Sequence, residues 1–146
     1  MLRNARGFTL IEALISLVIL SIVSLVSFNF VLTLHDYIRL NNVLSVFQAD
    51  LHYARDFNMM QLSSDEERMT IRIYHDEYRY VILVNDLIQN ERKLPNNVSV
   101  PHENITSDIT FNERGNLGVG RTLVFSSRYH ERRVVFSVGV GGFDVR

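Results

Sequence analysis

One uninterrupted apolar segment near the N-terminus constrains this chain more than any other feature of its sequence. From Ala13 to Leu34 no side chain carries a charge. As a helix these residues would extend roughly 33 Å, close to the ~30 Å hydrocarbon thickness of a bilayer. The segment therefore predicts one membrane-spanning helix, and it leaves enough sequence for one small domain on its C-terminal side.

The charges on the two sides of this segment predict its orientation in the membrane. Arg3 and Arg6 precede it, whereas Asp36 and Arg39 nearly cancel each other after it. By the positive-inside rule, we expect a single-pass protein with its N-terminus in the cytoplasm and its C-terminus outside the cell membrane.

The composition excludes several classes of functional site. The chain has 15 basic and 16 acidic side chains, so its overall charge does not favour nucleic acid as the principal partner. Cysteine is absent, which excludes a disulfide framework and a thiolate nucleophile. The five histidines have no metal-ligand spacing, and no G-x-S-x-G motif or phosphate-binding glycine loop occurs. We therefore predict no catalytic residue, no metal ligand and no cofactor.

A short motif lies directly before the apolar segment. A polar leader at residues 1–7 ends in the sequence Gly7-Phe8-Thr9-Leu10-Ile11-Glu12. These residues resemble the G-F-T-L-x-E signature of type IV pilins and pseudopilins. The resemblance implies that a prepilin peptidase cleaves between Gly7 and Phe8 on the cytoplasmic side, and that the new amino terminus at Phe8 is methylated. A glycine suits cleavage because no Cβ obstructs an enzyme that approaches the extended backbone.

Glu12 places a carboxylate at the edge of the membrane segment, where burial towards the midplane costs about 2.5 to 3.5 kcal/mol. The resemblance implies an assembly role, in which Glu12 pairs with the amino terminus of a neighbouring subunit and sets the axial stagger of a fibre. A capping box is the alternative, because Thr9 and Glu12 have the S/T-x-x-E spacing. The two roles are compatible. We favour assembly because cleavage at Gly7 would leave Thr9 beside a frayed terminus.

The helix is predicted to continue beyond the membrane, because no proline or glycine occurs from Phe8 to Gln61. We assign residues 8–34 to a transmembrane or filament-core helix and residues 35–61 to an amphipathic helix. In the second part, apolar residues recur at alternating spacings of three and four, which predicts one buried stripe. The stripe consists of Tyr37, Leu40, Leu44, Phe47, Leu51 and Ala54, with Val43 and Phe57 beside it.

After a polar break at Ser63 to Arg68 the apolar period changes to two, which predicts strands. Met69–Tyr74 and Tyr78–Val84 should form a hairpin. Further short strands are expected at Leu87–Leu94, Ile109–Phe111, Thr122–Phe125, Arg133–Val138 and Phe143–Val145. The predicted fold class is α+β and pilin-like, with one long N-terminal helix packed on a small antiparallel β-sheet in an extracellular domain at residues 62–146.

Residues 128–133 form the one basic segment with an interleaved aromatic side chain. Arg128, Tyr129, Arg132 and Arg133 are candidate DNA contacts, because arginine binds phosphate and tyrosine stacks on a base. A polar hairpin tip explains the same residues. We favour the hairpin tip because so few cationic groups would release few counterions from DNA.

Three functions are compatible with these features: a subunit of a competence pilus, a minor pseudopilin of a type II secretion system, and a membrane-anchored DNA-binding receptor. The segments Phe111-Asn112-Glu113-x-Gly115 and Val138-Gly139-x-Gly141-Gly142 resemble minor pseudopilins of the H type and ComGD-like minor pilins of Gram-positive competence systems. Together with the short leader and the absence of cysteine, this favours a minor pilin of a DNA-uptake system. The resemblance implies other pilin-like subunits as partners, an assembly ATPase and a platform protein as indirect partners, and a cell-surface location after assembly.

Overall fold

The computed structural model describes residues 9–60, 67–100, 106–137, 139 and 142–146. The chain divides into two compact units, Met1–His35 and Asp36–Arg146. One long helix, α1, runs through Leu10–Met60 and contributes to both units. It is followed by strands that pair only in the antiparallel sense. The predicted α+β fold class is therefore confirmed.

In the first unit the helix is apolar on all sides. None of its described residues, 9–35, is buried, and even the large side chains of Leu25 and Phe30 are 71% and 68% exposed. Three of its hydroxyls are satisfied within the helix, because those of Ser16, Ser21 and Ser24 each donate to the carbonyl four residues earlier over 2.8 Å. By length and composition, this part of α1 is able to cross a membrane.

In the second unit α1 buries one face. The predicted apolar stripe is confirmed from Leu40 to Ala54, and Val43 and Phe57 are partly buried beside it. The prediction was wrong at Tyr37, which is 37% exposed, because Asp36 occupies the buried position one turn before Leu40. The stripe therefore begins with a carboxylate, and Tyr37 lies at its edge.

Within the described residues, seven strands follow the helix and form two sheets. Their bounds are β1 Met69–Tyr74, β2 Arg79–Val84, β3 Leu87–Lys93, β4 Thr106–Thr110, β5 Arg121–Ser126, β6 Glu131–Phe136 and β7 Phe143–Val145. The strand orders are β3-β2-β1-β4 in one sheet and β5-β6-β7 in the other. The predicted hairpin is confirmed as β1 and β2, which pair from Met69 with Val84 to Tyr74 with Arg79. A division into two sheets was not predicted.

The strand ends differ from the predicted ones where polar residues continue a ladder. Strand β4 begins at Thr106 rather than Ile109, because its polar residues pair with β1, as Asp108 does with Arg72. Strand β6 begins at Glu131 rather than Arg133, because Glu131 pairs with Ser126 of β5. The predicted end of this strand at Val138 and most of the polar break before β1 lie outside the described residues.

The core lies where the buried stripe of α1 meets both sheets. The Phe47 side chain is fully buried, and its ring centroid lies 5.2 Å from that of Tyr80 in β2 and 5.1 Å from that of Phe125 in β5. One helix residue thus contacts both sheets. Such aromatic contacts add to the free energy gained by burial alone.

A buried amide fixes the far end of the same stripe. Asn58 is 4% exposed, and its side chain donates to the carbonyl oxygens of Met69 and Phe111 over 2.9 Å each. Its Oδ1 atom accepts the Met69 N–H over 2.8 Å. The amide therefore connects the last turn of α1 to the start of β1 and to the residue that follows β4.

Replacing Phe47 with aspartate should unfold the second unit, because a carboxylate without a partner in a core this small costs several kcal/mol. Hydrogen exchange of the purified full-length chain, measured by mass spectrometry, should show loss of protection in β1, β2 and β5. The matched control is Val46→Asp at an adjacent helix position that is 45% exposed, where protection should be retained. Wild-type protection in Phe47→Asp would contradict this account of the core.

Candidate functional site

The start of α1 carries the residues of the predicted processing and assembly motif. Gly7 and Phe8 lie outside the described residues, so the cleavage and methylation positions stay predictions. Thr9 is described, and its Oγ1 atom accepts the Glu12 N–H over 3.3 Å, while its carbonyl oxygen accepts the Ala13 N–H over 3.1 Å. Thr9 therefore caps the first turn of the helix.

This capping bond involves only the backbone of Glu12. The Glu12 side chain is exposed, and it lies beside Leu10 and Ile11, which are 83% and 64% exposed. Among the residues that the structure describes, none neutralises its carboxylate. A carboxylate in such apolar surroundings gains most from a cation, since Coulomb attraction is far stronger where water is excluded. Within the described residues, the Glu12 carboxylate thus remains available for a cation.

The four candidate DNA contacts lie on the hairpin of β5 and β6. The turn between the strands closes with a hydrogen bond from the Ser127 N–H to the His130 carbonyl over 2.8 Å. Arg128 and Tyr129 occupy its exposed tip, where the guanidinium carbon of Arg128 lies 5.3 Å from the centroid of the Tyr129 ring. The segment is therefore a hairpin tip, which was the favoured interpretation.

The remaining two candidates have contacts of their own. The Arg133 guanidinium forms an ion pair with Glu131, with an Nη2 to Oε1 distance of 2.9 Å. Arg132 instead lies beside Tyr37 of α1, with its guanidinium carbon 5.6 Å from the ring centroid. Neighbouring strand residues point to opposite faces, so Arg132 and Arg133 lie on opposite faces of β6, and DNA contact by the four residues stays a prediction.

A buried carboxylate holds this hairpin against the helix. Asp36 is 6% exposed, and its Oδ2 atom accepts the Ser127 hydroxyl over 2.7 Å and the Tyr129 N–H over 3.1 Å. The Asn97 side chain donates to the Oδ1 atom over 2.9 Å. From the sequence, Asp36 was interpreted only as a charge that follows the membrane segment. Its position four residues before Leu40 was the signal that it continues the buried stripe.

Hydrogen bonding changes the acidity of this carboxylate. Burial alone raises the pKa of Asp36, but the three hydrogen bonds, together with the electrostatic effect of His130, outweigh burial and hold the pKa below its ordinary value of 3.8. The ionised form is therefore the one that stabilises the hairpin.

The comparison with known families concerns the N-terminal residues alone. The family described as Prokaryotic N-terminal methylation motif matches residues 2–28. The chain carries this methylation motif. The motif supports a type IV pilin-like or pseudopilin subunit, implies processing by a prepilin peptidase, and together with the apolar part of α1 indicates anchoring in a membrane. Neither the curated proteins nor the solved structures contain a match to the chain.

The second unit carries a groove beside α1. That groove, of about 560 Å³, is lined in part by Asp50, Tyr53 and Arg92. Asp50 accepts the Tyr80 hydroxyl over 2.7 Å and contacts Arg92 Nε over 3.3 Å, so its carboxylate is already paired. In the part of the chain that the structure describes, no group of three acidic or histidine side chains is placed to hold a metal ion.

Lowering the pH should destabilise the hairpin of β5 and β6 through Asp36. Because its folded-state pKa is depressed, Asp36 contributes stability that is fully present above the unfolded value of about 3.8 and is lost as the pH falls through the folded value. We expect hydrogen-exchange protection of Tyr129 to decline in that range. Asp36→Asn should have weaker protection at neutral pH and a smaller change with pH. An identical pH response in Asp36→Asn would contradict the assignment.

Proposed function

We propose that this chain is a minor pilin-like subunit of a competence pilus, processed by a prepilin peptidase and needed for pilus assembly and for uptake of transforming DNA. One observation carries the proposal: the methylation motif, matched over residues 2–28, extends into a helix segment on which no described residue is buried. Such a segment requires an apolar environment from outside the chain, first the bilayer and then the helices of neighbouring subunits in a fibre.

The proposed organisation assigns a role to each part of the chain. Residues 1–7 are a leader removed on the cytoplasmic side, and residues 8–34 anchor the subunit before becoming the core of the fibre. Residues 35–61 connect this segment to the domain at residues 62–146, which is extracellular. The orientation is supported by the arginines that precede the apolar segment.

In the proposed assembly step, the Glu12 carboxylate pairs with the methylated amino terminus of Phe8 in a neighbouring subunit. The pair forms only when the two helices are staggered so that the groups meet. Because an unpaired charge is costly where water is excluded, a wrong stagger is penalised by several kcal/mol. The charge pair would therefore select the axial position of each added subunit.

The choice of a competence pilus over a type II secretion system is supported by the C-terminal resemblance and by a composition without cysteine. In the structure, Asn112 Oδ1 accepts the N–H groups of Arg114 and Asn116 over 3.0 and 2.8 Å, and Gly115 has a φ of +72°. This part of the resembling segment thus also has a local role in forming a turn. Deletion of the gene should abolish transformation if the proposal holds, whereas a loss of protein secretion with normal transformation would favour the pseudopilin function.

The mature protein should begin at methylated Phe8. Mass spectrometry of subunits from sheared fibres should give the mass of residues 8–146 with an added methyl group. The variant Gly7→Leu should accumulate as the full-length chain, because a side chain at the scissile bond obstructs approach of the peptidase. Full-length wild-type chain in assembled fibres would refute the proposed processing.

Charge at Glu12 should be essential for incorporation into fibres. Glu12→Gln should impair incorporation nearly as much as Glu12→Val, because neither variant can pair with an amine. Processing and membrane insertion should continue in both variants, since Gly7 and the apolar segment are intact. The measurements are leader cleavage, subunit content of sheared fibres and transformation frequency. Normal incorporation of Glu12→Gln would exclude the charge pair.

Thr9→Val provides the matched control for the capping alternative. It removes the hydroxyl that accepts the Glu12 N–H and preserves the Glu12 carboxylate, at a cost of about 1 kcal/mol in helix stability. If assembly depends on charge, Thr9→Val should enter fibres once it is processed. If capping is what matters, Thr9→Val should fail to enter fibres, whereas Glu12→Gln should succeed.

A further inference from the structure

The basic hairpin lies at the end of the second unit where α1 enters it. We call residues 127–133 together with Tyr37 the juxtamembrane hairpin. Its turn is bonded to Asp36, the first residue of the unit, through Ser127 and the Tyr129 N–H. The Tyr37 ring also packs edge-on against His130, with 5.4 Å between the ring centroids. The contacts of this hairpin with α1 are therefore made at the first two residues of the unit.

These two helix residues follow the apolar segment almost directly. Asp36 and Tyr37 lie two and three residues after Leu34, which corresponds to about 3 and 4.5 Å along a helix axis. The headgroup layer on each side of a bilayer is roughly 5–7 Å thick. If the apolar segment spans the hydrocarbon, Asp36 and Tyr37 lie at the level of the headgroups, and the hairpin bonded to them begins at that level.

The side chains of the hairpin have the chemistry of a membrane interface. Within the described residues, Arg128 and Arg132 have no carboxylate partner, whereas Arg133 is paired with Glu131. The two unpaired guanidinium groups lie beside Tyr129 and Tyr37, which are 48% and 37% exposed. Tyrosine is enriched at the headgroup level because its ring is apolar and its hydroxyl is polar, and arginine binds phosphate through several N–H donors.

We propose that the juxtamembrane hairpin binds anionic phospholipid headgroups on the outer face of the membrane in which the chain is anchored. Arg128 and Arg132 contact the lipid phosphates, and the two tyrosines lie among the headgroups. The inference rests on the proposed anchoring and orientation, and it deepens them by naming a lipid class. Each arginine near an anionic surface should strengthen the contact about fivefold.

The same contacts argue against DNA as the ligand of this surface. Only Arg128 and Arg132 remain for phosphate, and Arg132 lies against Tyr37 of the helix rather than beside Arg128 at the turn. Two phosphate contacts release few counterions, so DNA binding at physiological salt would be weak. A lipid surface needs less from each contact, because the hairpin is bonded to Asp36, which follows the apolar segment by only two residues.

The test uses the full-length chain in lipid nanodiscs. The chain contains no tryptophan, so Tyr129→Trp introduces a single fluorophore into the hairpin. As a control, Val119→Trp places the fluorophore just before β5, at the end of that strand that is away from the hairpin. Quenching by phosphatidylcholine with a spin label on its headgroup then reports contact with the membrane surface. One set of nanodiscs contains phosphatidylcholine only, and the other also contains phosphatidylglycerol.

We expect phosphatidylglycerol to increase quenching at position 129 but not at position 119, and salt to reverse the increase. In the Tyr129→Trp chain, Arg128→Gln and Arg132→Gln should each weaken the contact about fivefold. Arg121→Gln removes the same charge at the opposite end of β5 and should have no effect. Equal quenching in the two lipids, or full retention of the effect in the double glutamine variant, would overturn the proposal.

Two further outcomes separate this inference from its premises. A chain that does not stay with the nanodiscs would overturn both the anchoring and the lipid contact. A nanodisc-bound chain whose tryptophan at position 129 responds to short duplex DNA and not to phosphatidylglycerol would overturn the lipid contact alone. That result would assign the hairpin to DNA and support the receptor function.

Discussion

The burial of one face of α1 against two sheets is the interaction on which the rest of the second unit depends. Phe47 shows why, because its ring contacts Tyr80 of one sheet and Phe125 of the other. Neither a four-stranded nor a three-stranded sheet of this length would be stable alone with an apolar face in water. The helix supplies the missing layer to both sheets, so its outer half is part of the domain core as well as a connection to the membrane segment.

Buried polar groups mark both ends of this packed face. Asp36 joins the first turn to the hairpin of β5 and β6, and Asn58 joins the last turn to β1 and to Phe111 after β4. Apolar contacts tolerate small shifts, whereas a buried hydrogen bond is lost when its partners move. We infer that the apolar stripe drives association, and that Asp36 and Asn58 select the register of the helix on each sheet.

Features that depend on residues close together in the chain could be predicted from the sequence, whereas features that depend on distant residues could not. The long helix and the hairpin of β1 and β2 were predictable, because each depends on apolar periodicity among residues close in the chain. Periodicity could indicate that Asp36 is buried but not which groups it contacts, since its partners Asn97 and Ser127 are distant in sequence. The division into two sheets likewise depends on long-range packing. At the candidate site, the sequence indicated the motif and the basic segment, but not that Arg132 and Arg133 have different partners.

Glu12 and Asp36 lie on the two sides of the apolar segment, and they differ in which groups offset the loss of hydration of their carboxylates. Asp36 receives three hydrogen bonds from its own domain, so changing it should first affect folding. Glu12 has no neutralising group among the described residues of its own chain, so changing it should first affect association. A charge that the described residues of the chain do not satisfy, next to an apolar surface that they do not cover, is what a subunit interface requires. We therefore propose that the determinants of assembly lie at the start of α1, whereas those of domain stability lie beyond the apolar segment.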